Sequence, residues 1–195
     1  MALCGNFTSA QLAAARQQEA LNAAAILGVP SQNVHLLTYG DAMVTSYPEV
    51  QIRSEMIALI RSIHPSVIMT WFPYPRFELL PSAGWDDLGY HPDHQAVGKI
   101  ALDASFGAGV ARLFPELGAP ASVSQFYMWE YTAALTHYVD ITSVVSSKVK
   151  SFIAHETQYP DPQQVQQMVY ELGARMAALT LNGTVTLAEA FRAYF

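Results

Sequence analysis

The stretch GYHPDHQAVG, residues 89 to 98, places two of the chain's six histidines three positions apart with an aspartate between them. Imidazoles titrate near neutral pH and ligate divalent metals through a lone pair, so His91 and His94 can move protons or hold an ion. If a helix begins here, Pro92 takes its first position, where a missing N–H costs nothing. Asp93 then sits in the first turn, where the helix dipole favours negative charge. Residues three apart share a helix face, so the two imidazoles point the same way. The same residues also suit plain capping and surface duty, and both readings stand at this point. A catalytic zinc normally takes three protein ligands, and no second histidine or cysteine motif accompanies this one.

The elements that must position this tetrad are legible from hydrophobic spacing. Thr8 and Gln11 have capping-box spacing ahead of an alanine-rich helical run from Ser9 to Leu27, closed by Gly28. Val34 to Thr38 reads as a short strand leading into a turn at Gly40 and Asp41. Ile52, Met56, Leu59, Ile60 and Ile63 then recur at helical spacing after Pro48. After Pro65, SVIMTWF is an unbroken apolar run of the kind buried on both faces of a parallel sheet. Helical character resumes at HPDHQAVGKIALDASF, and QFYMWEY and HYVDI look like two more strands. The remainder is mainly helical, from Ser143 to Thr157 and from Pro162 to Leu179, with a short closing piece from Leu187. This alternation predicts an α/β fold: a three-layer, Rossmann-like, mostly parallel sheet flanked by helices. In such sheets ligands bind beyond the carboxyl ends of the strands, which is where the tetrad falls.

At 195 residues the chain is expected to form a single domain over positions 1–195. With 51% apolar and 13% charged residues it can bury enough surface to offset its ordering entropy. The net charge of -6 comes without any Lys/Arg cluster, which argues against a nucleic-acid partner. No run is apolar and long enough to span a membrane, and a single cysteine, Cys4, fits a reducing, cytoplasmic setting. Cys4 has no cationic partner in the sequence that would make it a nucleophile.

Taken in order, several segments resemble the LmbE-like or PIG-L-like N-acetylglucosaminyl de-N-acetylases. AAARQQEALNAAAILGV resembles the family's Arg-x-x-Glu helix, VHLLTYGD its next strand and turn, and HPDHQAVGKIALDA its second metal motif. YVDITSVVSSKVKSFIAHETQ and LAEAFRAYF resemble its Asp-Ile-Thr, Lys, His-x-Ser-Gln and Glu-x-Phe-Arg segments. The resemblance implies metal-dependent hydrolysis of the acetamide of an N-acetylglucosamine-containing, small-molecule amino-sugar conjugate, with a divalent cofactor expected to be zinc. It implies His94 as the metal ligand, His91 as the histidine that meets the oxyanion and Asp93 as the residue that orients it. Arg16 and Asp41 resemble substrate-contacting residues; by themselves they read equally well as a surface helix charge and a turn former. Assembly into an oligomer is compatible with all of this.

The resemblance has one large departure. The family's opening strand ends in His-Pro-Asp-Asp-Glu, which supplies two metal ligands and the general base, and no such segment occurs here. Three accounts are open. The start is truncated relative to the family, the whole protein being about 50 residues longer. Or the chain is a shortened relative that keeps sugar binding without hydrolysis. Or Glu78, Asp86 and Asp87, on the long loop from Pro73 to Tyr90, rebuild the site. The expectation is a de-N-acetylase that is inactive or incomplete as this chain. The alternative is a non-catalytic carbohydrate-binding or interaction protein on the same fold. Trp71, Trp85 and Tyr90 are candidates for lining a sugar pocket or for ordinary packing. His155 resembles the late family histidine or is a helix-end residue, and His35 and His64 read as structural.

Overall fold

The Thr8 side chain accepts the Gln11 N–H while the Gln11 side chain accepts the Thr8 N–H, and this capping box starts helix α1 (Ser9–Ile26). The helix ends at Leu27, with Gly28 in the left-handed region at φ 79°. These elements belong to a computed structural model that describes residues 7–74, 91–129, 135–180 and 183–195. Cys4, Glu78, Trp85, Asp86, Asp87 and Tyr90 lie outside the described residues.

The remaining elements are α2 (Glu49–Ile63), β1 (Val67–Trp71), α3 (Pro92–Gly109), β2 (Gln125–Trp129), β3 (His137–Asp140), α4 (Val145–Ile153), α5 (Pro162–Ala178) and β4 (Ala188–Tyr194). The strands are ordered β1-β2-β4-β3. β1 and β2 run parallel, with Val67 opposite Gln125 and Trp71 opposite Trp129. β4 runs antiparallel to β2. The α/β class expected from the alternation is the one observed. Two segments differ from expectation. Val34 to Thr38 forms no strand: its backbone has no ladder partner among the described residues, and Leu36 and Leu37 remain exposed. A strand needs a neighbour for its N–H and C=O groups, whatever its side chains prefer. The closing piece from Leu187 is strand β4 rather than helix, because pairing with β2 satisfies its backbone. Among the described residues no helix is long and apolar enough to cross a membrane.

The chain divides into two units, Met1–Thr38 with Tyr138–Glu189, and Tyr39–His137 with Ala190–Phe195. In the first, α4 and α5 bury Val145, Val149, Val165 and Val169 together with Ile141 and Leu187. Asp161 caps α5 by accepting the Gln163 and Gln164 N–H groups, with Pro162 at the first position. Glu19, buried on α1, accepts the Thr157 N–H at 2.7 Å and the Thr157 hydroxyl at 2.8 Å. That pair of bonds joins α1 to the segment after α4.

In the second unit α2 and α3 pack on each other around Ile57, Ile60, Ala104 and Ala108, with Ile68 of β1 beside them. Two features fix α3 in place. Gly98 lies so close to the end of β1 that a Cβ there would sit 2.2 Å from the Trp71 carbonyl oxygen, a distance no side chain tolerates. At the other end, buried Arg61 of α2 donates to the carbonyls of Gly107, Ala108, Val110, Leu113, Phe114 and Gly118. A guanidinium there satisfies carbonyls that the helix end leaves open and complements its negative pole. α2 itself stops at His64, held left-handed at φ 52° before Pro65 and donating its N–H to Ile60. His64 is thus a structural cap, as expected.

Candidate active site at the start of the third helix

His91 is the N-cap of α3, extended at φ -124° and ψ 128°. Its Nδ1 accepts the Asp93 N–H at 3.3 Å, doing with an imidazole what Ser or Asp usually does at this position. Because that nitrogen accepts, the neutral ring carries its proton on Nε2. The Nε2 side faces Asp41 Oδ1 at 3.9 Å. The sequence pattern therefore folds as its spacing requires, with Pro92 at the first helical position and Asp93 in the first turn.

The Asp93 side chain is buried at 9% exposure and accepts the Val44 N–H at 3.0 Å. Its hydrogen bond to His91 is made by its main-chain N–H. The Val44 bond docks the short 3₁₀ turn Val44–Ser46, and with it the Gly40–Met43 turn that carries Asp41, onto the start of α3. Ala42 in that turn is left-handed at φ 58°, a conformation that costs an alanine energy and that clusters at functional sites. Tyr39 anchors the near side of the turn on α2, donating its hydroxyl to Glu55 at 2.9 Å and packing edge-on against Tyr47. Asp41 itself is largely exposed.

His94 lies one step along the helix, its ring stacked flat on Trp71 at 4.1 Å between centroids and 4.7 Å from the His91 ring. Its Nδ1 is buried and makes no hydrogen bond. Burial, and secondarily the nearby His91, lower its pKa from the ordinary imidazole value; the charges of Asp93 and Asp41 oppose this without reversing it. A neutral imidazole with an unused buried nitrogen is the state a metal ligand requires.

Asp41, His91 and Asp93 each offer one ligand atom, all within 4.8 Å of one another. Carboxylates and imidazoles suit a hard or borderline divalent ion. The hydrogen bond at Nδ1 makes His91 a donor through Nε2 in this tautomer, and the neutral His94 ring lies beside the cluster, 4.7 Å from that of His91. Of the residues singled out in the sequence, the second unit thus brings together Asp41, His91, Asp93 and His94. In the first unit Arg16 is half-buried on α1, and His155 is half-buried just after α4, its Nδ1 buried without a hydrogen bond. His35 is exposed. The sequence reading missed the Val44 N–H, which no side-chain pattern reports. It left Trp71 open between packing and binding; the ring stacks on His94.

Residues 4–105 match the family model described as PIG-L, GlcNAc-PI de-N-acetylase. A diacetylchitobiose deacetylase of Thermococcus kodakarensis is 29% identical over 160 residues, covering 80% of this chain and 54% of that protein. The chain thus spans about half the length of the curated relative it matches. Among solved structures, the N,N'-diacetylchitobiose deacetylase of Pyrococcus horikoshii in complex with the inhibitor MPG superposes with a TM-score of 0.79 at 21% identity, over 97% of this chain and 67% of that one. A 4-carboxy-2-hydroxymuconate hydratase from Pseudomonas putida superposes at 0.72 with 18% identity, over 98% and 75%. A hydrolase and a hydratase share this fold, so the fold alone does not choose the reaction.

Proposed function

Since the chain belongs to the GlcNAc-PI de-N-acetylase family, we propose that the start of α3 is the reacting centre of a hydrolase that removes the acetyl group from an N-acetylglucosamine-containing substrate. The observation that carries this reading is the His91 side chain, held by its Nδ1 so that Nε2–H is presented outward beside Asp41. A fixed N–H donor of that kind can receive the oxygen of an amide carbonyl as it gains charge. Asp93 is a positioning residue: its main-chain N–H sets the His91 tautomer, and its carboxylate holds the turn bearing Asp41 through Val44. Asp41, exposed on that turn, is placed to accept sugar hydroxyls. Arg16 is proposed as a second substrate contact on the strength of the family resemblance.

A divalent ion, proposed to be zinc, would be held by His94, the ligand the family resemblance implies, next to the cluster of Asp41, His91 and Asp93, and when bound would polarise the carbonyl and acidify water. This sequence holds no His-Pro-Asp-Asp-Glu segment to supply the two further ligands and the general base that the resemblance implies, so the 195-residue chain by itself is expected to hydrolyse its substrate slowly or not at all. That missing segment favours a second reading, a carbohydrate-binding protein that does not turn its ligand over. The substrate in either case is a small amino-sugar conjugate rather than a nucleic acid, and the single cysteine suits a cytoplasmic setting.

The test is to dialyse the protein from zinc, then measure retained metal, acetate released from N,N'-diacetylchitobiose, and binding of the same sugar. Acetate release with stoichiometric zinc supports the hydrolase. Sugar binding with neither supports the second reading, and absence of all three overturns both.

A further inference from the structure

Between the part of α3 that carries Pro92, Gln95 and Lys99 and the residues Thr45, Tyr47 and Glu49 lies a cleft of about 440 Å³. It adjoins the proposed reacting centre directly. Pro92 separates His91 from Asp93 in the chain, and Thr45 follows the residue whose N–H Asp93 holds. We propose that this cleft is a subsite for the group attached to the acetylated sugar, and that it selects a neutral, hydroxylated ring over a phosphate-bearing one. The inference deepens the deacetylase reading and rests on it.

Size and surface support a ring. The volume falls in the range of small-molecule sites, and the walls combine the Tyr47 ring and the Pro92 face with a few polar groups, which suits a sugar's apolar face and hydroxyl edge. Charge supports neutrality. Among the described residues Lys99 is the only cation lining the cleft, and its ammonium is already held 3.3 Å from both Glu49 oxygens and 2.6 Å from Asp103. A phosphate entering here would have to compete with two carboxylates for that one charge, and it would meet Glu49 itself at the wall. A hydroxyl avoids the conflict: it can donate to Glu49 and accept from Lys99 or Gln95, leaving the ion pair intact.

Binding measured calorimetrically, with no turnover needed, separates the alternatives. The probes are N-acetylglucosamine, N,N'-diacetylchitobiose and N-acetylglucosamine 1-phosphate, titrated into the wild type and into Gln95→Ala and Lys99→Met, whose folding is checked by thermal melting. The disaccharide is expected to bind about tenfold more tightly than the monosaccharide, and the ratio to fall toward one in either variant. The phosphate probe is expected to bind no better than the monosaccharide. Equal affinity for mono- and disaccharide in the wild type overturns the subsite while leaving the deacetylase reading standing. A preference for the phosphate overturns the neutral class, and a ratio unchanged in both variants overturns the location. Failure of every probe to bind removes the deacetylase reading and the subsite with it.

Discussion

The two ends of α3 handle buried polar groups in opposite ways. At its carboxyl end, Arg61 reaches six main-chain carbonyls, and no donor of the guanidinium is left over. At its amino end, His94 keeps a buried nitrogen with no hydrogen bond, His91 spends one nitrogen on the cap and presents the other, and the adjoining turn holds an alanine left-handed. One end is closed on itself and the other is left open. Left-handed residues stand near both ends, Ala42 beside the amino end and Phe114 past the carboxyl end, so the difference lies in the polar groups: of the two ends it is the amino one that keeps a buried nitrogen unsatisfied, at a cost in stability that marks it as the end kept for ligands.

The comparison breaks most visibly through Arg61. Arg61→Met keeps much of the apolar stem and strands the carbonyls, and is expected to lower stability by about 4 kcal/mol, or about 10 °C in melting temperature. A loss under about 1 kcal/mol would mean that the carbonyls find water as easily as they found the guanidinium.

Gly98→Ala is the next largest. Helix propensity alone favours alanine by about 1 kcal/mol, yet the Trp71 carbonyl stands where the methyl must go. The expected result is a net loss of about 3 kcal/mol in urea unfolding, and a stabilised variant would show that α3 can lift off β1 without cost.

At the open end the sign reverses. His94→Phe preserves the stack on Trp71 and removes the orphaned nitrogen, so stability is expected to stay level or rise by about 1 kcal/mol. The same histidine gives the smallest effect, in pH. Its pKa in the folded protein lies below the unfolded 6.5, so the stability linked to its neutral form is fully present above pH 6.5 and is lost as pH falls through that value toward the folded one. An imidazole NMR titration is expected to place His94 below 6.5, and urea unfolding at pH 5 and 7.5 is expected to show a smaller pH difference in His94→Phe than in the wild type.

What could be read from the sequence divides along the same line. The entry to α3 was legible, since Pro92, Asp93 and the three-residue histidine spacing are local rules of helix starts. So were α1, from Thr8 and Gln11, and the existence of β1, from its unbroken apolar run, although the burial on both faces that the run suggested fails at the exposed Val67 and Met69. Arg61 gave no signal: an arginine on an amphipathic helix reads as a solvated face, and its acceptors are main-chain groups from 46 to 57 positions further along. Val34 to Thr38 misled for a related reason, because strand propensity describes a side-chain pattern while a strand exists only with a partner. The Val44 N–H that orders Asp41 around Asp93 is likewise a product of tertiary geometry. Gly98 could be seen in the sequence, but the carbonyl that makes it obligatory could not.

The central claim is that the amino end of α3 is built to hold a ligand rather than to stabilise the fold. Calorimetric titration of Zn2+ into the metal-free protein and into His94→Phe tests it most directly. The account expects one ion bound by the wild type and affinity weakened at least about tenfold in a variant that melts no lower. Equal zinc binding by both proteins, or none by the wild type, would contradict it.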